Sequence, residues 1–153
     1  MTIENIRDTG RNSARTVDVR VLAEKIQKPS DTEAVVATNV ITAAESGTRF
    51  VMNVAAAKVS TLPAPAAGLE YWFYVGATEP TGTHTIVTAS SANIIVGNVS
   101  SPEDAAGSVA TVTDADTISL VASKAVHGDF VHVWSDGTNW YLSGQCKVQD
   151  GIT

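Results

Sequence analysis

The sequence predicts an all-β fold, a sandwich or barrel of short strands, with an extended arm ahead of it. Three observations carry this expectation. The 153 residues are 44% hydrophobic, with the apolar set leaning towards Val, Ile and Ala and with Thr and Ser frequent; β-branched side chains suit pleated, half-buried surfaces. Short apolar runs are separated by turn residues at near-regular spacing, the pattern of sandwiches and barrels. Helical patterns long enough to connect parallel strands are missing, which argues against βαβ units. A chain of this length buries roughly 68–70% of its unfolded surface and needs no metal or disulfide to fold.

The arm comes first. No aromatic residue precedes Phe50, and the opening residues are rich in Arg, Asn, Asp, Ser and Thr. A segment so poor in core-forming material orders only by lying on something else. Val17, Val19 and Val21 alternate like a strand, whereas Val19, Leu22 and Ile26 are spaced like a helix face, and both readings stay open. Lys28-Pro29-Ser30-Asp31 is a breaker. The division is therefore an N-terminal docking arm over residues 1–33 and a β-domain over residues 34–153.

The domain reads as strands at Ala34–Thr42, Arg49–Ala55, Lys58–Leu62, Glu70–Val75, His84–Thr88, Asn93–Gly97, Thr117–Ala122, Phe130–Ser135 and Asn139–Gly144. Between them stand Glu45-Ser46-Gly47, Pro63-Ala64-Pro65, Glu79-Pro80-Thr81-Gly82 and Asp136-Gly137. Asn98–Asp116, rich in Ser, Ala, Gly and Asp, reads as a long loop with room for a short strand at Val109–Val112. The terminal hairpin, Phe130–Gly144, is the most legible element. Asp136-Gly137 supplies a tight turn, or Gly137 closes a slightly longer one. Alternation puts Val131 and Val133 on one face and Phe130, His132 and Trp134 on the other; Trp140 and Leu142 share a face opposite Tyr141. Large apolar residues on both faces imply that the core covers one and a neighbouring subunit part of the other.

Charge is unevenly spread. Residues 1–28 hold six basic and four acidic side chains, and residues 36–153 hold four basic and ten acidic, within a net charge of −6. An acidic body repels nucleic acid, whose binding needs clustered Lys and Arg. The arm's isolated arginines suit protein docking instead. No run approaches the ~20 apolar residues of a membrane span, and the N-terminus has no signal-peptide core. One cysteine, Cys146, allows no intrachain disulfide and reads as a small buried hydrophobe.

Leu62-Pro63-Ala64-Pro65-Ala66-Ala67-Gly68, the following aromatic strand, Ile95-Val96-Gly97, Gly128-Asp129 and Ser135-Asp136-Gly137-Thr138-Asn139-Trp140-Tyr141 together resemble a β-module of bacteriophage tail fibres, head fibres and capsid decoration proteins. The resemblance covers about Thr42–Gly144. It implies a jelly-roll-like antiparallel β-sandwich of about eight strands, a homotrimer, and no catalysis. The chain contains neither heptads nor a 20–50-residue sequence repeat for a fibre shaft. The expected function is thus a capsid decoration subunit on the outer surface of the virion, bound to the major capsid protein. The alternative is a tail-fibre or head-fibre module that binds a receptor or host-surface glycan. Ile3, Ile6, Arg7, Arg11, Arg15 and Arg20 are the candidates for capsid contact; Tyr71, Phe73, His132, Trp134, Trp140 and Tyr141 are the candidates for core and subunit contact.

Other constellations are weaker. His127, Asp129 and His132 contain metal-ligand types but lack a third neutral ligand nearby. Asp114 and Asp116, with Glu103-Asp104 upstream, lack the ligand spacing of a calcium loop. His132 copies meeting near a threefold axis would make assembly pH-sensitive. Nucleophile motifs and phosphate-binding glycine loops are missing. Trp72, Trp134 and Trp140 suit sugar stacking in principle, but aromatic side chains also dominate cores and interfaces. No cofactor or metal is expected.

Overall fold

The computed structural model describes residues 31–101 and 109–153. Eleven strands occur there: β1 Thr32–Val35, β2 Asn39–Val40, β3 Arg49–Met52, β4 Val59–Thr61, β5 Glu70–Val75, β6 His84–Val87, β7 Ile95–Ser100, β8 Val109–Ala115, β9 Thr117–Leu120, β10 Phe130–Ser135 and β11 Trp140–Gln145. They form a seven-stranded sheet, in the order β1-β3-β5-β10-β11-β7-β8, and a four-stranded sheet, β2-β4-β6-β9. The all-β, two-sheet expectation holds. β5 and β10 have the bounds that alternation in the sequence assigns them.

The pairing differs from an antiparallel jelly roll. From β1 to β6 the chain alternates between the sheets, and each strand lies parallel to the one two places later. This half of the molecule is a flattened coil: Thr32, Arg49 and Trp72 stand in one row of the large sheet, and Asn39, Ser60 and Ile86 in one row of the small sheet. A parallel ladder needs a long return connection, and here each return passes through the opposite sheet. Antiparallel pairing takes over at β5–β10, β10–β11, β6–β9 and β7–β8, while β7–β11 is again parallel.

Two expected elements change for the same reason. Ala34–Thr42 is two strands in different sheets, because the chain crosses between layers at exposed Val36. Asn98–Asp116 is not one long loop, since Asn98–Ser100 continues β7 and Val109–Ala115 is β8. The polar Ser, Thr and Asn in these strands are the outward half of a two-sided pattern.

One core fills the space between the sheets. Phe50, Met52, Tyr71, Phe73, Val131, Val133, Trp140 and Leu142 project from the large sheet, and Ile86, Ile118 and Leu120 from the small one; all are buried. Phe50 stacks on Phe73 at 5.2 Å, and Tyr71 tilts against Trp140 at 5.8 Å. Fully burying such a side chain contributes on the order of 1.5–3 kcal/mol.

Buried polar groups close the corners. His84, fully buried on β6, accepts the Lys58 N–H at Nδ1 (3.1 Å) and donates Nε2–H to Val54 O (2.8 Å), pinning the passage from β3 to β4. These partners assign the neutral Nε2–H tautomer. Asp129 is also buried, and its carboxylate accepts the Val126 and Lys147 N–H groups at 2.9 and 3.0 Å.

Candidate functional site

The outer face of the seven-stranded sheet carries the most distinctive surface. Alternation along β5 sends Tyr71, Phe73 and Val75 into the core and leaves Trp72 and Tyr74 outward. Alternation along β10 does the same for Phe130, His132 and Trp134 against Val131 and Val133. Register then sets these residues side by side: Trp72 opposite His132, Tyr74 opposite Phe130, and Trp134 opposite Tyr141 of β11.

The rings meet face to face. Trp72 and His132 stack at 4.3 Å and 12°, Trp134 and Tyr141 at 4.4 Å and 17°, and Tyr74 and Phe130 at 5.7 Å and 29°. Arg49 of β3 lies over Trp72 from the other side, at 5.8 Å from the ring centre. Because β3 and β10 flank β5, both faces of the Trp72 ring are covered. Each aromatic pair contributes about 0.5–1.5 kcal/mol beyond area burial. The rings thus stand on the sheet and offer their rims outward. Trp134 is the most open of them, 44% exposed. Beyond the aromatic band the same face continues in exposed Ser143, Gln145, Asn98 and Ser100.

Charges sit inside the band. Glu70 places a carboxylate oxygen 3.5 Å from His132 Nε2. Asp136, in the four residues that link β10 to β11, accepts the N–H groups of Thr138 and Asn139 at 2.8 Å and the Tyr141 hydroxyl at 3.0 Å. Those donors, Asn139 N–H first, hold the Asp136 carboxyl below its ordinary range, and the bond to Asp136 raises the Tyr141 phenol.

The structure sorts the candidate residues into two groups. Tyr71, Phe73 and Trp140 are fully buried and belong to the core, whereas His132, Trp134 and Tyr141 line the outer face. The arm residues Ile3, Ile6, Arg7, Arg11, Arg15 and Arg20 lie outside the described residues. Trp72 and Tyr74, on the Tyr71–Val75 strand expected to make core and subunit contact, complete the band together with Arg49 and Glu70, which the sequence does not single out. Parity puts Trp72 and Tyr74 on one face of β5 and Tyr71 and Phe73 on the other; which face turns outward, and the meeting with β10, depend on packing and register, which no local pattern encodes.

The motif residues prove architectural. Gly68 N–H donates to Ser135 O at 3.0 Å, and Ser135 N–H to Leu69 O at 2.9 Å, so the Pro-rich turn docks on the start of the hairpin loop. Ile95-Val96-Gly97 pairs with Trp140-Tyr141-Leu142. Gly128 N–H bonds Val75 O at 3.0 Å, next to the buried Asp129. Of the five motif segments, the Pro-rich turn, the aromatic strand and Ile95-Val96-Gly97 meet the terminal hairpin, itself the fifth, and Gly128-Asp129 anchors the chain entering it.

Among the described residues no group of three His, Cys, Asp or Glu side chains could hold a metal, and no helix is long and apolar enough to cross a membrane. Asp129, a member of the His127–His132 constellation, spends its carboxylate on backbone N–H groups. Cys146 is free and buried. Compared with known proteins, the chain matches no family model, no curated protein and no solved structure.

Proposed function

We propose that this protein is a non-enzymatic structural subunit of a bacteriophage particle, a capsid decoration protein that binds the outer shell as a homotrimer. The observation that carries the proposal is the outer aromatic face: three stacked ring pairs beside a cation and two carboxylates. Aromatic and Arg side chains at the centre of a patch are the composition of protein–protein contact. The trimer places this face between subunits and leaves the arm to reach the major capsid protein. Three weak contacts acting together raise avidity, and burying surface across capsid junctions stabilises the shell by linkage.

The competing reading is a receptor or glycan-binding fibre module, favoured by the exposure of Trp134. Sugar stacking needs an open ring face; stacking covers one face of each paired ring, and Arg49 lies over the other face of Trp72. Protein contact therefore accounts better for the whole band.

The test combines mass and attachment. Sedimentation of the full chain is expected to give a trimer, and Trp134→Ser to give a folded monomer. Removing residues 1–15 is expected to leave a trimer that no longer binds capsids. A monomeric full chain, or full decoration of empty capsids by the truncated protein, would overturn the reading; binding of the isolated protein to cell-surface glycans would favour the competing one.

A further inference from the structure

Two neighbouring rows of the outer face are built alike and differ in one group. The first row runs from Arg49 on β3 through Trp72 on β5 to His132 on β10. His132 stacks on the β10 side of the Trp72 ring at 4.3 Å, and the Arg49 guanidinium lies on the β3 side, 5.8 Å from the ring centre. A cation within about 6 Å of a ring centre is attracted by the negative face of the ring. The second row is shifted by one strand: Glu70 on β5, Trp134 on β10 and Tyr141 on β11. Tyr141 stacks on the β11 side of the Trp134 ring at 4.4 Å. The other side of that ring turns towards Glu70, its partner across the β5–β10 ladder. Where the first row has a cation, the second has a carboxylate. Trp134 is 44% exposed and the Glu70 side chain 46%. Asp136, two residues beyond Trp134, adds a second carboxylate, bonded to the Tyr141 hydroxyl at 3.0 Å.

We propose that the slot between Trp134 and Glu70 binds the guanidinium of an arginine side chain from a neighbouring subunit. A guanidinium is planar and weakly hydrated, so it stacks on an aromatic face while its N–H groups reach a carboxylate at the edge. Trp134 supplies the face and Glu70 the acceptor. His132 Nε2 lies 3.5 Å from one Glu70 oxygen, and a carboxylate has room for further donors. A neutral ring gains nothing from the two negative charges, whereas a cation gains from both. Arg49 on Trp72 is the same contact made within one molecule. The neighbouring subunit as donor rests on the trimer proposed above, whereas the slot itself does not. In a ring of three, this face meets a different surface of the next subunit, so an acidic slot and the cation that fills it stand on one sequence.

The test separates the slot from the donor. The full chain, diluted until sedimentation gives a monomer, is titrated with N-acetyl-Gly-Arg-Gly-amide at constant ionic strength, and the indole N–H resonances are followed. The Trp134 resonance is expected to move, and the Trp72 resonance, whose ring already carries Arg49, to stay. The same peptide with citrulline, neutral and of the same shape, is expected to bind about fivefold more weakly. Glu70→Gln, at an exposed position, is expected to weaken the arginine peptide about threefold. A Trp134 resonance that stays still, equal binding of the citrulline peptide, an equal shift with N-acetylglucosamine, or a Glu70→Gln chain that binds as before would overturn the slot.

The donor is read by concentrating the chain without peptide. As the trimer forms, the Trp134 resonance is expected to move in the direction the arginine peptide moves it. A trimer that leaves the resonance unmoved would overturn the neighbouring donor and leave the trimer standing. A chain that stays monomeric at every concentration would remove the trimer and its donor together, and the titration would still decide the slot.

Discussion

Tyr71 shows how one side chain joins the layers. Its ring is buried between Phe50 and Trp140, and its hydroxyl donates to Thr42 O at 3.0 Å. Burial first, and then the Glu45 charge, push its phenol up from 10.0 to about 12. The native state therefore favours the neutral phenol. Its contribution is complete below about pH 10 and is lost as pH rises towards 12, because the unfolded chain gives up the proton first. Tyr71→Phe is expected to cost about 1 kcal/mol at neutral pH and to flatten the alkaline fall in stability, read by urea unfolding between pH 9 and pH 11. His84 does comparable work between strands. His84→Phe keeps the ring volume but leaves the Lys58 N–H and the Val54 carbonyl without their partners. A loss of about 2 kcal/mol is expected in the same measurement.

At the scale of elements, β7 is the least replaceable connection. Gly97 has φ +152, and a Cβ there would lie 1.9 Å from Leu142 O, on the strand it pairs with. The sheet must shift to admit any side chain, so Gly97→Ala is expected to cost more than about 3 kcal/mol. Gly47, at φ +91 with open space around it, supplies the control; Gly47→Ala carries only left-handed strain and is expected to cost about 1 kcal/mol. Thermal unfolding of the two variants separates steric conflict from backbone strain. The edge of β9 depends on the last residues, among which Ile152 is buried. Removing residues 151–153 is expected to cost about 2–3 kcal/mol through the lost side chain and to speed hydrogen exchange at Ser119 and Val121, which lose their partners at Thr153 and Gly151.

For the whole molecule, the coil and the hairpin share the large sheet through the β5–β10 ladder, and one core serves both sheets. They are therefore expected to unfold together. Tryptophan fluorescence, which samples Trp140 in the core and Trp72 and Trp134 outside, should follow the same transition as far-ultraviolet circular dichroism; two separated transitions would show the coil to be an independent unit. Assembly belongs to this scale as well, since loss of Trp134 should alter mass without altering the fold.

Much of this was legible in the residues. Alternation in Glu70–Val75 and Phe130–Ser135 gives those strands their bounds, their buried faces and the outward position of His132 and Trp134, because side-chain parity is a local property of extended backbone. The same reasoning puts Trp140 and Leu142 on one face, which the fold turns inward. Local pattern does not say which strand lies beside which, or in which direction. The coil left no sequence repeat, since its rungs differ in length: 17 residues separate Thr32 from Arg49, and 23 separate Arg49 from Trp72. The split of Ala34–Thr42 into two sheets, the parallel ladders, and the meeting of Trp72 with His132 all arise from pairing between residues far apart in the chain. The sequence by itself determined most of the strands and, in Phe130–Ser135 above all, which side chains share a face. Tertiary structure alone decided their neighbours, and with them the aromatic surface, because ladder hydrogen bonds join backbone groups that every residue type carries alike.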